Sequence, residues 1–346
     1  MTKQTRSVMF ASVAILLVGF TAGGLAYYGY LGRFLQPSVP SDLRYVPRGV
    51  DVLGYVDVRA LMDSQFRRDL RDVAGGEPQR GQQEFRDQTG IDIEKDIDRV
   101  VVYVTPGAGE PGDSPRGAVL ARGRFDQKRI ESLVREQNGT AEDYRGKRIL
   151  MPRPGPRGAD RNRLPDGPPV TAAAPAEMAL AFIQTGLVAM GSRPLVRGAI
   201  DLDQGGPNIT GDDEFMKLIH DVDQGDAWAV GRLDMLTSHL KLPSTVTEQV
   251  PPLRFFSATG HVDGGLTGRI QAEAADEAAA QQLRDVVRGF LALAKLQAGS
   301  RPEFQVMLKS LELGGTGRTV SLSFSVAPEA LQAFGRPGGR RGGRAQ

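Results

Sequence analysis

The sequence predicts an α+β protein: an N-terminal transmembrane helix followed by two similar α+β halves with mainly antiparallel sheets. Three observations carry this reading. An uncharged apolar run lies near the start of the chain. Strand-like segments then come in pairs joined by short glycine turns, which marks hairpins rather than parallel crossovers. A strand–acidic cap–helix spacing occurs twice.

The apolar run extends from Val8 to Leu31 and reads VMFASVAILLVGFTAGGLAYYGYL. At about 1.5 Å per residue it is long enough to cross a bilayer of roughly 30 Å. Lys3 and Arg6 precede it, and Tyr27, Tyr28 and Tyr30 crowd its far end like an interfacial belt. The run continues past the small-x-small site Gly24-Leu25-Ala26, whereas a cleaved signal has a core of only about 7–15 residues. A retained signal-anchor is therefore expected. A short basic tail stays cytoplasmic and a long following domain translocates largely regardless of its charge. The expected address is the inner membrane of a bacterial envelope, single-pass, with residues 1–7 inside and the bulk in the periplasm. Gly19 and Gly23 form a small-xxx-small pair, which allows a weak homodimer through the anchor.

The formal charge of +2 comes from the chain ends. Residues 34–335 carry 36 basic against 41 acidic residues, a net −5. Nucleic acid is thus not an expected partner of the folded part. With no cysteine there is no disulfide framework, thiolate metal site or cysteine nucleophile.

Residues 32–48 read as a proline-bearing stalk, residues 49–205 as the first α+β half and residues 206–335 as the second. In the first half, VDVLGYVDV (50–58) reads as a buried strand and LMDSQFRRDLRDV (61–73) as a helix, with a short helix at 82–88. DRVVVYVT (98–105) and GAVLARGRF (117–125) are strands on either side of a glycine- and proline-rich loop. Asp126 caps a helix carrying Ile130, Leu133 and Val134. EDYRGKRILM (142–151) is a strand broken by a turn at Gly146. Residues 152–176 hold seven prolines and few large apolar groups, so they are read as a disordered excursion. MALAFIQ (178–184) and LVAMGS (187–192) resume the sheet, and VRGAIDLD (196–203) is a helix.

In the second half, Thr210 and Asp213 read as a capping pair before Phe215, Leu218, Ile219 and Val222. DAWAVGRLDML (226–236) is a strand, 253–274 a hairpin turning at Asp263-Gly264, and 308–326 a last hairpin, followed by a terminal helix PEALQAF. Between the hairpins runs the longest helix, opening near Asp276. Its stripe of Leu283, Val286, Val287, Phe290, Leu291 and Ala294 is expected to be core. The repeat is visible in spacing: 51–61 matches 226–236, and Gly117–Asp126–Leu133 matches Gly268–Asp276–Leu283. The chain ends in an arginine–glycine tail, 336–346.

Four segments, VPRGVDVLGYVDV (46–58), TGIDIEKDIDRVVVYV (89–104), YRGKRI (144–149) and LVAMGSRPLVRGAID (187–201), resemble an uncharacterised family of single-pass bacterial envelope proteins known as a domain of unknown function. The resemblance implies an anchored extracytoplasmic α+β module, and it brings no catalytic residues.

The candidate chemistry is sparse. Asp92, Glu94, Asp96 and Asp98 alternate in IDIEKDID, but the central glycine and distal glutamate of a calcium loop are missing, so a solvated turn is expected. GGTGRT (314–319) lacks the lysine and following helix of a phosphate loop and reads as a hairpin turn. His220, His239 and His261 have no metal spacing; His220 beside Asp221 and Asp223, and His261 near Asp263, leave a base–carboxylate pair conceivable. No catalytic, cofactor or metal residue is assigned. The expected function is a non-enzymatic, membrane-tethered module binding an envelope protein or polymer. The alternative is an envelope hydrolase using an Asp/His pair.

Overall fold

The computed structural model describes residues 40–65, 86, 90–106, 116–153, 178–222, 225–233, 251–262, 265–297, 305 and 308–326. The expected anchor, residues 154–176 of the excursion read at 152–176, residues 66–73 of the helix read at 61–73, the short helix at 82–88 apart from residue 86, His239, the turn at 263–264, the terminal helix and the tail lie outside these residues. No helix among the described residues is long and apolar enough to cross a membrane.

Among the described residues, twelve strands form one antiparallel sheet rather than two. They are β1 (Val52–Asp57), β2 (Ile97–Thr105), β3 (Arg116–Gly123), β4 (Thr140–Tyr144), β5 (Lys147–Met151), β6 (Met178–Gln184), β7 (Leu187–Ser192), β8 (Ala227–Arg232), β9 (Leu253–Val262), β10 (Leu266–Ala274), β11 (Glu312–Gly314) and β12 (Thr319–Val326). Their spatial order is β11-β12-β10-β9-β8-β1-β2-β3-β7-β6-β5-β4. The two halves join through the β1–β8 pairing, with Tyr55 opposite Trp228. Asp57 N–H donates to Asp226 O and Arg232 N–H to Asp51 O, both at 2.8 Å, so the joint is bonded alike at its two ends.

Hairpin chemistry explains much of this order. Arg145 and Gly146 both have positive φ, 47° and 77°, which is what the two-residue turn between β4 and β5 demands. Helices start where aspartate accepts a backbone N–H. Asp57 caps α1 (Val58–Met62), Asp92 caps α2 (Ile93–Asp96), and Asp126 caps α3 (Gln127–Glu136). α4 (Arg193–Asp203) has proline in its first turn. α5 (Asp213–His220) is capped by Asp212, which accepts from Phe215 N–H at 3.1 Å. The expected Thr210–Asp213 pair is therefore displaced: Thr210 sits in a 3-10 helix, Ile209–Gly211, whose own cap is Asn208. Asp276 accepts from Ala279 N–H at 2.7 Å at the start of α6 (Glu277–Gln297). The matched aspartates 126 and 276 thus do the same work, each after the third strand of its half.

In an antiparallel sheet directly paired residues share a face. On the first face, Leu53, Tyr55, Val101, Tyr103, Leu120, Ala189, Ala181, Ile149, Trp228 and Val230 form the main core with Val196, Ala199 and Ile200 of α4 and Phe215 and Ile219 of α5. The expected stalk is shorter than its sequence reading. Residues 41–45 form a 3-10 helix whose Leu43 and Tyr45, with Val46 beyond it, are fully or almost fully buried in that core. Ile209 N–H donates to Val46 O at 2.9 Å, stitching this segment to the second half. Prolines at 37 and 40 make the segment look like a linker, but four apolar groups within 43–50 find a hydrophobic wall.

Burial on this face pushes the Tyr55 hydroxyl up to about 12, with the Asp57 charge adding to it. Burial also raises Tyr103. In the unfolded chain tyrosine ionises near pH 10. A raised folded value means the stabilisation is complete below about pH 10 and is lost as pH climbs towards 12. Denaturant midpoints should therefore fall over that window, and Tyr55→Phe should remove part of the fall.

Candidate binding surface

The second face carries the unusual feature. Following the register from edge to edge gives one row: Ala141, Leu150, Leu180, Met190, Val119, Val102, Gly54, Ala229, Ala258, Ile270, Leu322, Leu313. It crosses all twelve strands, roughly 50 Å at about 4.8 Å per strand step, without a polar side chain. The next row repeats the pattern with Phe182, Val188, Ala121, Val100, Val56, Ala227, Gly260, Gly268 and Phe324. An antiparallel sheet with a solvated face normally alternates polar with apolar along each strand. Here β2, RVVVYV, is apolar on both faces.

Among the described residues, three helices occupy parts of this side. α1 buries Val58 and Leu61 outside the main core, beside β2. α3 packs by β5, where Ile130 and Leu150 are buried. α6 builds a second, smaller core from Ala279, Ala280 and Leu283 against Ala274 and Val320, with Ala272, Val287 and Leu313 around them. Between these contacts Val52, Val56, Val100, Val102, Val104, Val119, Leu180 and Phe182 stay half-buried.

α6 corrects one expectation. Its first half is core as read, but Phe290 is 43% exposed, Leu293 50% and Leu296 80%. The stripe is correct in spacing, yet the sheet supplies partners only to its beginning.

The first face shows the converse. Its central row continues from Tyr55 through Trp228 into Thr259, Arg269, Ser323 and Glu312. Polar groups therefore replace the apolar core across the second half, and a shallow recess there is lined by Arg269, Gln271, Thr319, Ser321 and Ser323.

The candidates from sequence fall into structural roles. Asp92 caps α2, and the Asp96 carboxylate accepts from Asp92 N–H at 2.8 Å. Asp98 pairs with Arg59. The acidic alternation is thus a short self-capped helix between α1 and β2, not the expected plain turn. Burial works against the ionised Asp92 carboxylate, but the backbone N–H of Glu94 and the charge of Lys95 outweigh it and lower its pKa. No group of three or more His, Asp or Glu suited to a metal occurs among the described residues. GGTGRT is the β11–β12 turn, closed by Thr319 N–H donating to Thr316 O at 3.0 Å. His220 ends α5, and His261 lies on β9 opposite Thr267, on the polar part of the first face.

Neither family models nor curated proteins match this chain. Among solved structures, one described as "Structure of crystal form I of TP0453" is similar over 86% of this chain and 97% of its own, with a TM-score of 0.45 and 9% sequence identity.

Proposed function

We propose that this chain is a membrane-tethered, extracytoplasmic binding module whose recognition surface is the second face of the sheet. The twelve-residue apolar row, with Met190 exposed and Leu180, Val119 and Val102 only half-buried, is the observation that supports this reading. An apolar sheet face that its own helices leave incompletely covered marks an interaction site. The sequence of residues 8–31 supports the tether, and the short basic tail before it supports the orientation.

Two measurements test the proposal. An alkaline-phosphatase fusion after residue 346 should be active in a bacterial host, whereas a fluorescent C-terminal reporter that lights up instead would reverse the topology. A photo-crosslinking residue in place of Met190, on the apolar row, should form adducts in intact cells. The same residue in place of Glu312, on the polar side, should not. Equal labelling at the two sites would sink the assignment of the surface. The hydrolase alternative rests on the positions of its histidines in the sequence.

A further inference from the structure

We propose that the partner of this surface is the bilayer that holds the anchor, met by the far half of α6. The proposal rests on the reading that residues 8–31 cross that bilayer. Three observations then converge.

First, the tether is short. Because residues 41–46 belong to the core, only residues 32–39 separate the expected span from the fold. Fully extended, those residues reach no more than about 28 Å. The body is held close to the lipid surface at all times.

Second, the exposed apolar groups are one-sided. The large apolar side chains exposed among the described residues are Met178, Met190, Phe290, Leu293 and Leu296. Met190 lies in the apolar row, and Met178 shares its face two residues before Leu180. The other three project from α6, which packs on that same face through Leu283 and Val320. The opposite side is closed by α4 and α5 or is polar.

Third, the charge fits. From Val286 to Gln297 the helix contains Arg288 and Lys295 and no acidic residue. An interfacial helix has this composition: apolar groups sink roughly 5–10 Å into the headgroup boundary while long basic side chains snorkel to the phosphates. The anchor therefore works as more than an address. It presents an amphipathic helix end, and with it the mouth of the apolar sheet face, to the acyl region of its own membrane.

The absence of cysteine makes the test clean. Leu296→Cys in the full chain, labelled with a nitroxide and reconstituted into nanodiscs containing anionic lipid, should gain access to oxygen and lose access to a water-soluble nickel chelate. Glu312→Cys should show the aqueous pattern. Adding Phe290→Glu and Leu293→Glu should return the label at 296 to the aqueous pattern while the chain stays with the discs. A label at 296 that behaves like the one at 312, or is shielded from both reagents as under a second protein surface, overturns the proposal. A chain that does not fractionate with the discs overturns the anchor instead, so the two failures are distinct.

Discussion

Asp42→Ala should lower stability by about 3 kcal/mol, near the lower end of the cost of breaking a buried ion pair. The Asp42 side chain is 2% exposed and faces two guanidiniums: Arg122 at 2.9 and 3.1 Å through Nε, and Arg99 at 2.8 Å. Its hydrogen bonding raises the pKa of Arg122. One carboxylate thus pins the 3-10 helix of residues 41–45 to both β2 and β3. The guanidiniums keep 34% and 23% exposure, which is why the lower end applies. Thermal melting should fall by roughly 6–12 °C. Most of the loss arises from leaving two cations without a counter-charge. The same substitution in an Arg99→Met, Arg122→Met background should therefore cost much less. An equal cost in both backgrounds would show that the helix is held by packing of Leu43 and Tyr45 and not by charge.

Phe215→Ala should cost about 3–5 kcal/mol, while Phe290→Ala should cost under about 1 kcal/mol. Phe215 is fully buried between α5 and the first face, with the Arg232 guanidinium 5.4 Å from its ring centroid. Removing it leaves a cavity and takes away the ring face under that cation. Phe290 is 43% exposed, and its removal does neither. Leu283, at 9% exposure on the same helix, should behave like the core residue that Phe290 is not. Paired denaturant titrations of the three alanine variants decide the matter. A Phe290 variant as destabilised as the Phe215 variant would place α6 flat on the sheet and remove the surface offered to lipid.

Local signals in the chain are read well where the interaction is local. Aspartate three residues before the N–H it accepts is a property of neighbours, so Asp126 and Asp276 were legible as helix starts, and so was the turn at Gly146. Even there a cap can slide: Asp212 and Asn208 take the roles that spacing assigned to Thr210 and Asp213, because two short helices compete for the same polar run. The matched spacings placed Asp126 and Asp276 alike, each after a strand and at the start of a helix.

What the sequence by itself determined is therefore the alphabet of elements: strands in antiparallel pairs, aspartate-capped helices, a long amphipathic helix after β10, and an apolar segment long enough to span a bilayer. Tertiary structure alone decided how these close on one another. Whether residues 41–46 are tether or core depends on a wall built by strands far along the chain. Whether Phe290 is buried depends on where the sheet ends beneath α6. That the two halves share one sheet follows from β1 meeting β8, about 175 positions apart in sequence, by backbone bonds that no side chain announces. The apolar row lies between these levels. Each of its residues is plain in the sequence, but only the register of twelve strands sets them side by side, because a strand's period of two tells which residues share a face and not what faces them.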